Sequence, residues 1–179
     1  MKTSSYLILL LCALLSLFAC GHKPYPATLI AADSLASVNP DSAITLLYSL
    51  KEQMKSAPQA TQMYYRLLCI KANDKAYIMH TSDSLILPIL HYYIEENDEQ
   101  HLTEAYYYAG RVYRDLEDGP QALHYLEKAL EVLPKDDKYP LKSHIYSQMG
   151  TLFLYQGLYN QALEIFKKRY VCNTDLKDS

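Results

Sequence analysis

The stretch AYYYAGRVYRDLEDGPQALHYLEKAL, residues 105–130, returns in outline forty residues later as IYSQMGTLFLYQGLYNQALEIFKKRY, residues 145–170. Tyr106, Gly110 and Gln121-Ala122-Leu123 meet Tyr146, Gly150 and Gln161-Ala162-Leu163 in the same register. A bulky ring four residues before a glycine, with an alanine twelve after it, describes two helices pressed together at small residues. One such pair cannot bury its apolar face alone. The unit must stack on neighbours, and stacked helix pairs leave a groove. The pattern points to binding and is silent on what is bound.

Outward from this echo, the segments between Tyr25 and Cys172 read as eight helices joined by short turns, with no alternating strand pattern. The first spans Ala27 to Ala36; the second opens at Asn39-Pro40, a cap followed by the residue that loses least at the first helical position. The third, Ala60 to Tyr77, carries Tyr64, Leu67, Leu68 and Ala72 on one face. The fourth begins near Thr81-Ser82-Asp83, and Pro88 inside it predicts a kink or a late start. The fifth follows Asn97 as its cap, with Gln100 three residues on, and reaches Leu116. The sixth spans Gly119 to Pro134, the seventh Pro140 to Gln156, and the eighth follows Gly157 and fades near Val171. The expected fold is all-α, a right-handed superhelical array of about four antiparallel hairpins.

The chain of 179 residues is half apolar, enough to bury a core in one domain. Its formal charge of -3, with no basic run, argues against nucleic acid or an anionic membrane surface as partner. Tyrosine supplies 18 residues against 3 Phe and no Trp, which suits helix contacts that bury a ring and leave a hydroxyl at the rim.

The N-terminus is a separate element. Lys2 precedes an apolar run from Tyr6 to Ala19, interrupted by Ser16 and too short for the ~20 residues that span a bilayer. It reads as an export signal ending at a small residue. Leu17-Phe18-Ala19-Cys20 resembles the lipobox of bacterial lipoproteins. That resemblance implies diacylglycerol on the Cys20 thiol, cleavage before it, and several acyl chains (palmitate among them) as a membrane anchor. His22-Lys23-Pro24-Tyr25-Pro26 would be a short stiff tether, and the protein a periplasm-facing envelope lipoprotein. Cys69 and Cys172 then remain, and read as independent thiols.

Tyr106, Gly110, Tyr113, Ala122, Ala129 and Pro134, with Leu126 at an aromatic position, resemble the tetratricopeptide repeat, a helix pair of 34 residues. The next unit keeps Tyr146, Gly150, Phe153, Gly157, Tyr159, Ala162 and Phe166, departs at Arg169 and lacks the closing proline. Glycine inside a helix costs roughly 1 kcal/mol relative to alanine, so close approach of Gly110 to Ala122 and of Gly150 to Ala162 is expected to offset it. Lys135 to Pro140 forms a lengthened connection that loops tolerate cheaply. The resulting organisation is a signal peptide at 1–19, a tether at 20–26, two degenerate hairpins at 27–97, repeats at 98–136 and 139–172, and a tail at 173–179.

A wider resemblance runs from Ala31 to Phe166 through Asn39-Pro40-Asp41-Ser42-Ala43, Asp74-Lys75, Ser82-Asp83-Ser84-Leu85 and Ala105-Tyr106-Tyr107-Tyr108. It is similar to the N-terminal part of tetratricopeptide lipoproteins of Gram-negative gut anaerobes. Longer members continue to a transmembrane helix and a regulatory segment, so the chain looks truncated. Three functions follow as expectations: a lipid-anchored scaffold or adaptor for another protein, the sensory input module of a regulator without its output part, or a glycan-binding nutrient lipoprotein. The absence of tryptophan fits the third poorly.

The histidines are scattered: His80, His91, His101, His124 and His144 form no ligand pair on a helix face, so no metal is expected. Glu95-Glu96-Asn97-Asp98-Glu99 straddles a helix end and start, where acidic groups meet a helix N-terminus. No nucleophile elbow, phosphate loop or Cys-His pairing is present, and neither an enzyme nor a cofactor is expected. The candidate site is the inner face of the fifth and seventh helices, where Tyr107, Arg111, Arg114, Ser147, Thr151 and Leu154 should be free of packing duties. A groove of Tyr and Arg favours a peptide or carboxylate. Leu163, Phe166 and Tyr170 should be exposed on the last helix and promote self-association.

Overall fold

The structure, a computed structural model, describes residues 25–133 and 140–177. These form eight helices and no strand: α1 (Ala27–Val38), α2 (Pro40–Met54), α3 (Gln59–Lys75), α4 (Ile86–Glu96), α5 (Glu99–Asp115), α6 (Gly119–Glu131), α7 (Pro140–Tyr155) and α8 (Tyr159–Lys177). The export signal, Cys20, Pro134 and the connection from Lys135 lie outside the described residues. Among the described residues no helix is long and apolar enough to cross a membrane.

Successive helices pack as antiparallel hairpins, most extensively α5 with α6 and α7 with α8. The odd-numbered helices also touch one another in sequence, α1 to α3, α3 to α5 and α5 to α7. Among the described residues, the even-numbered ones do not. Tight spacing in one row and wide spacing in the other bends the array, with the odd-numbered helices on the inside of the curve. Two cores run through it. Leu29, Ala32, Leu47, Leu68 and Ala72 join α1, α2 and α3; Leu67, Ile89, Tyr93, Ala109, Val112, Leu126 and Ile145 join α3 to α7. Helix α3 feeds both cores from different faces.

Capping residues set the helix starts. Asn39, Asp98 and Asp118 each accept a side-chain hydrogen bond from the backbone N–H three residues on, Ser42, His101 and Gln121. Asp98, rather than Asn97, caps α5: Asn97 closes α4 in the left-handed conformation, at φ 53°, which asparagine adopts more readily than most residues. Helix α4 takes the late start, with Pro88 in its first turn, where its missing N–H deletes no helical bond. The last helix is longer than its pattern suggests and continues through Lys177, so the expected tail is helical to that point.

The forty-residue period reaches further back than the side chains reveal. Tyr77, Glu117 and Gly157 all have positive φ (59°, 61° and 73°) and end α3, α5 and α7. Each stop is closed by the same bond, Ile78 N–H to Asn73 O, Asp118 N–H to Tyr113 O and Leu158 N–H to Phe153 O. Only the third stop uses glycine, the residue that pays no steric penalty there. The second hairpin thus shares the register of the two later ones, although Asn97 ends α4 with the same kind of bond, Asp98 N–H to Tyr93 O. Ile70 holds the register position of Gly110 and Gly150, and the chain opposite runs non-helical until Ile86, the counterpart of Leu126 and Phe166.

The helical glycines do mark the closest approaches, with one change of partner. A Cβ on Gly110 would lie 2.7 Å from Leu126 Cγ and 3.1 Å from the Ala122 carbonyl. On Gly150 it would meet the Phe166 ring at 2.6 Å, and Ala162 is not among the nearest groups. Phe166 is therefore half-buried against its own hairpin, while Leu163 and Tyr170 are exposed. Cys69 and Cys172 are free thiols, Cys172 buried.

Candidate partner-binding groove

The inner row of helices is floored by a chain of polar contacts that links α3, α5 and α7. Arg111 Nε donates to Asp74 Oδ1 at 2.6 Å, and Nη1 groups of both Arg111 and Arg114 donate to Gln148 Oε1. Arg114 also donates to Asp115 Oδ1 at 2.6 Å. Asp115 Oδ2 accepts from the His80 backbone N–H at 3.0 Å and pairs with His80 Nδ1 at 2.8 Å. Burial alone would raise the Asp115 pKa, but hydrogen bonds from Arg114 and His80 outweigh it and hold the carboxyl below its ordinary range. His80 lies in the α3–α4 connection, so this floor also ties that connection to the end of α5. Tyr113 adds a second tie through its hydroxyl, which donates to Asp83 Oδ2 at 2.7 Å.

Above the floor, a cleft of about 500 Å³ opens between Met79, Arg114, Asp115, Pro120, Leu152 and Tyr155. A smaller one of about 210 Å³ shares Met79, Arg114 and Asp115 with it and reaches Asp74 and Arg111. The rim is apolar and open to solvent: Tyr77 is 90% exposed, Met79 66% and Tyr155 82%, with Ile78 beside them. Tyr77 carries two costs together, a large ring in water and a left-handed backbone unfavourable by ~1–2 kcal/mol for a residue with a Cβ.

The six residues expected on the inner face divide. Arg114 lines both clefts, with its side chain 28% exposed. Arg111 reaches the smaller cleft, but its guanidinium is committed to Asp74 and only 11% exposed. Tyr107 is a core residue, 4% exposed, and burial pushes its phenol up to about 12. It is not free of packing duties, because α5 is flanked by α3, α4, α6 and α7 and buries most of its circumference. Ser147 and Thr151 are half-buried and joined by Thr151 Oγ1 donating to the Ser147 carbonyl at 2.9 Å. Leu154 is exposed yet lines neither cleft.

Side-chain spacing on α5 and α7 missed Tyr77, Met79, Tyr155 and Gln148. A signal for the first two was present: Ala76-Tyr77-Ile78-Met79 is apolar directly after the end of α3, where a turn should be polar.

With this geometry in view, the tetratricopeptide repeat family model matches residues 101–170, from the first turn of α5 into α8. A tetratricopeptide repeat therefore occupies this part of the chain, and repeats of this kind generally mediate protein–protein interaction. Comparison with curated proteins gave no match, and neither did comparison with solved structures.

Proposed function

We propose that this chain is a non-enzymatic, lipid-anchored envelope module that holds a partner protein along the inner face of its helical array. The observation that carries the reading is the Tyr77–Met79–Tyr155 rim over a floor of mutually bonded Arg111, Arg114, Asp115 and Gln148. An exposed aromatic rim supplies contact area at low entropic cost, and a pre-bonded polar floor needs no reordering when water leaves. Anchoring rests on the lipobox-like Leu17-Phe18-Ala19-Cys20.

Packing at the start of α1 supports the anchored geometry. Tyr25 stacks on Tyr64 at 4.1 Å, and His101 meets both rings edge-on. The chain is thus pinned to α3 and α5 five residues after Cys20, a distance of at most ~17 Å when extended. An acylated Cys20 would keep the array close to the bilayer surface.

Photo-crosslinking in cells tests the groove. A benzophenone amino acid at Tyr77 or Tyr155 should give a discrete adduct that the same group at Tyr48, exposed on the outer helix α2, does not give. Identical adducts from all three positions, or none from the groove pair, would remove the reading. For the anchor, Cys20→Ser should abolish labelling by palmitate; undiminished labelling would refute it.

A further inference from the structure

The two outermost described helices share an anomaly. On α1 the solvent-facing stripe runs through Ala27, Ile30, Ala31, Ser34 and Val38 and carries no charge, and Val38 is 84% exposed. Asp33, the one charged residue of α1, is half-buried and bonded to Lys71 of α3 at 2.6 Å. On α8 the exposed stripe is Tyr159, Leu163 and Tyr170, with half-buried Phe166 between them. Solvent-facing sides of helices are ordinarily polar, and the outer helices of a stacked array turn a polar face outward. Neither end of this array does so.

The array itself shows what kind of element covers such a face. Leu163 and Tyr170 stand forty residues after Leu123 and Leu130, which are partly buried against the core that α7 joins. The helix that follows α6 there is α7, a member of the inner row that touches both α6 and α5. A helix placed after α8 would likewise belong to the inner row. Helices α3 and α5 each lie between two inner-row neighbours, whereas α1 touches only α3 in that row and keeps its other side free. Charge agrees with pairing the two ends. Between Tyr25 and Leu50 the charged residues are Asp33 and Asp41, both acidic, with Asp41 exposed in the first turn of α2. Between Tyr159 and Cys172 they are Lys167, Lys168 and Arg169 against Glu164, all exposed. Two α8 faces set against each other would bring like charges together. An α1 end against an α8 end brings opposite ones.

We propose that the chain assembles head to tail: the α7–α8 end of one copy receives the uncharged face of α1 from a second copy, which continues the inner row across the joint. The contact is heterologous, with a different surface on each side. Every copy therefore keeps a free α1 face at one end of the assembly and a free α8 face at the other, and addition continues into a closed ring or an open row. None of the stripe residues lines the Met79–Arg114 clefts, so the inference stands independently of what the groove binds.

The test uses two differently tagged full-length copies expressed together, the first with a benzophenone amino acid at Val38, and measures the adduct between them after irradiation. An adduct between the two copies is expected. It should fall about tenfold when the second copy carries Leu163→Glu with Tyr170→Glu, which set charges into the apolar joint. It should be unchanged when the same two substitutions sit on the first copy, because only that copy's α1 reports. Both positions are exposed, so the melting temperature should hold; Leu163→Ser with Tyr170→Ser, which adds no charge, should act in the same one-sided way. Equal loss whichever copy is substituted would mean that like faces meet. No adduct between copies, or an adduct with a different protein alone, would mean that α1 is not covered by this chain. Each of these results would overturn the head-to-tail assembly.

Discussion

Gly110 and Gly150 are the same position in two copies, yet alanine should affect them differently. At Gly110 the new methyl would lie 2.7 and 2.9 Å from Leu126 Cγ and Cδ2 and 3.1 Å from a backbone oxygen, where carbon contacts normally settle at about 3.5–4.0 Å. Leu126 is 1% exposed and enclosed by the core, so it has nowhere to retreat. Overpacking of this kind costs about 1–3 kcal/mol, and the better helix propensity of alanine returns about 0.5–1 kcal/mol. Gly110→Ala should therefore destabilise by about 1–2 kcal/mol, a fall of roughly 2–8 °C in Tm for a chain of this size.

At Gly150 the obstacle is the outer part of the Phe166 ring, which is half-buried beside the exposed face of α8 and can swing aside. The same substitution there should cost less than about 1 kcal/mol, because the propensity gain offsets most of the strain. Thermal and guanidinium unfolding followed by circular dichroism measures both. A Gly150→Ala variant that loses as much as Gly110→Ala, or a Gly110→Ala variant that gains stability, would refute the reasoning. A Gly110→Ala/Leu126→Val pair should lose less than the sum of its parts, since the shorter side chain makes room.

Arg111→Met leaves the Asp74 carboxylate buried without its ion pair and should cost about 3–5 kcal/mol in denaturant unfolding, part of it recovered by adding Asp74→Asn. Because the Asp115 pKa is lowered by folding, that carboxylate contributes stability at neutral pH; the contribution is complete above its ordinary pKa near 4 and is lost as pH falls through the lowered value. Asp115→Asn should accordingly be less stable at pH 7 and show a shallower drop in Tm below about pH 4. Glu117→Gly replaces a strained left-handed residue by one that tolerates it, and should raise stability by up to ~1 kcal/mol in the same assay.

The helical array was readable because its signal is doubled: Gly110 and Gly150 with their tyrosines repeat at a fixed distance, and only a close helix pair needs that combination. The earlier hairpins are legible only as degenerate versions of the later ones: Ile70 stands where Gly110 and Gly150 do, and residues 76–85 are not helical. The cap of α5 was misplaced by one residue because Asn97 and Asp98 are both good capping types, and only the φ of Asn97 separates their roles. Tyr107 was misjudged for a different reason. Spacing along a helix finds one buried stripe, but α5 is packed on nearly all sides, and periodicity cannot count neighbours. Arg114 was legible from its place on the inner face; the α3–α4 connection that completes the cleft was not, because it enters the site through tertiary bonds from His80 and Asp83.

The three identical helix stops at Tyr77, Glu117 and Gly157 make the joints of this array interchangeable. A segment from residue 119 to residue 158 begins and ends at equivalent points, so a tandem duplication of those forty residues would meet a matching joint at both seams. The added pair would enter ahead of α8, so Leu163 and Tyr170 would remain exposed on the last described helix. The reach of the inner face is thus a quantity that a gene can change in whole steps, by unequal recombination, with Gly150 meeting a copied Leu126 in place of Phe166 at the new joint.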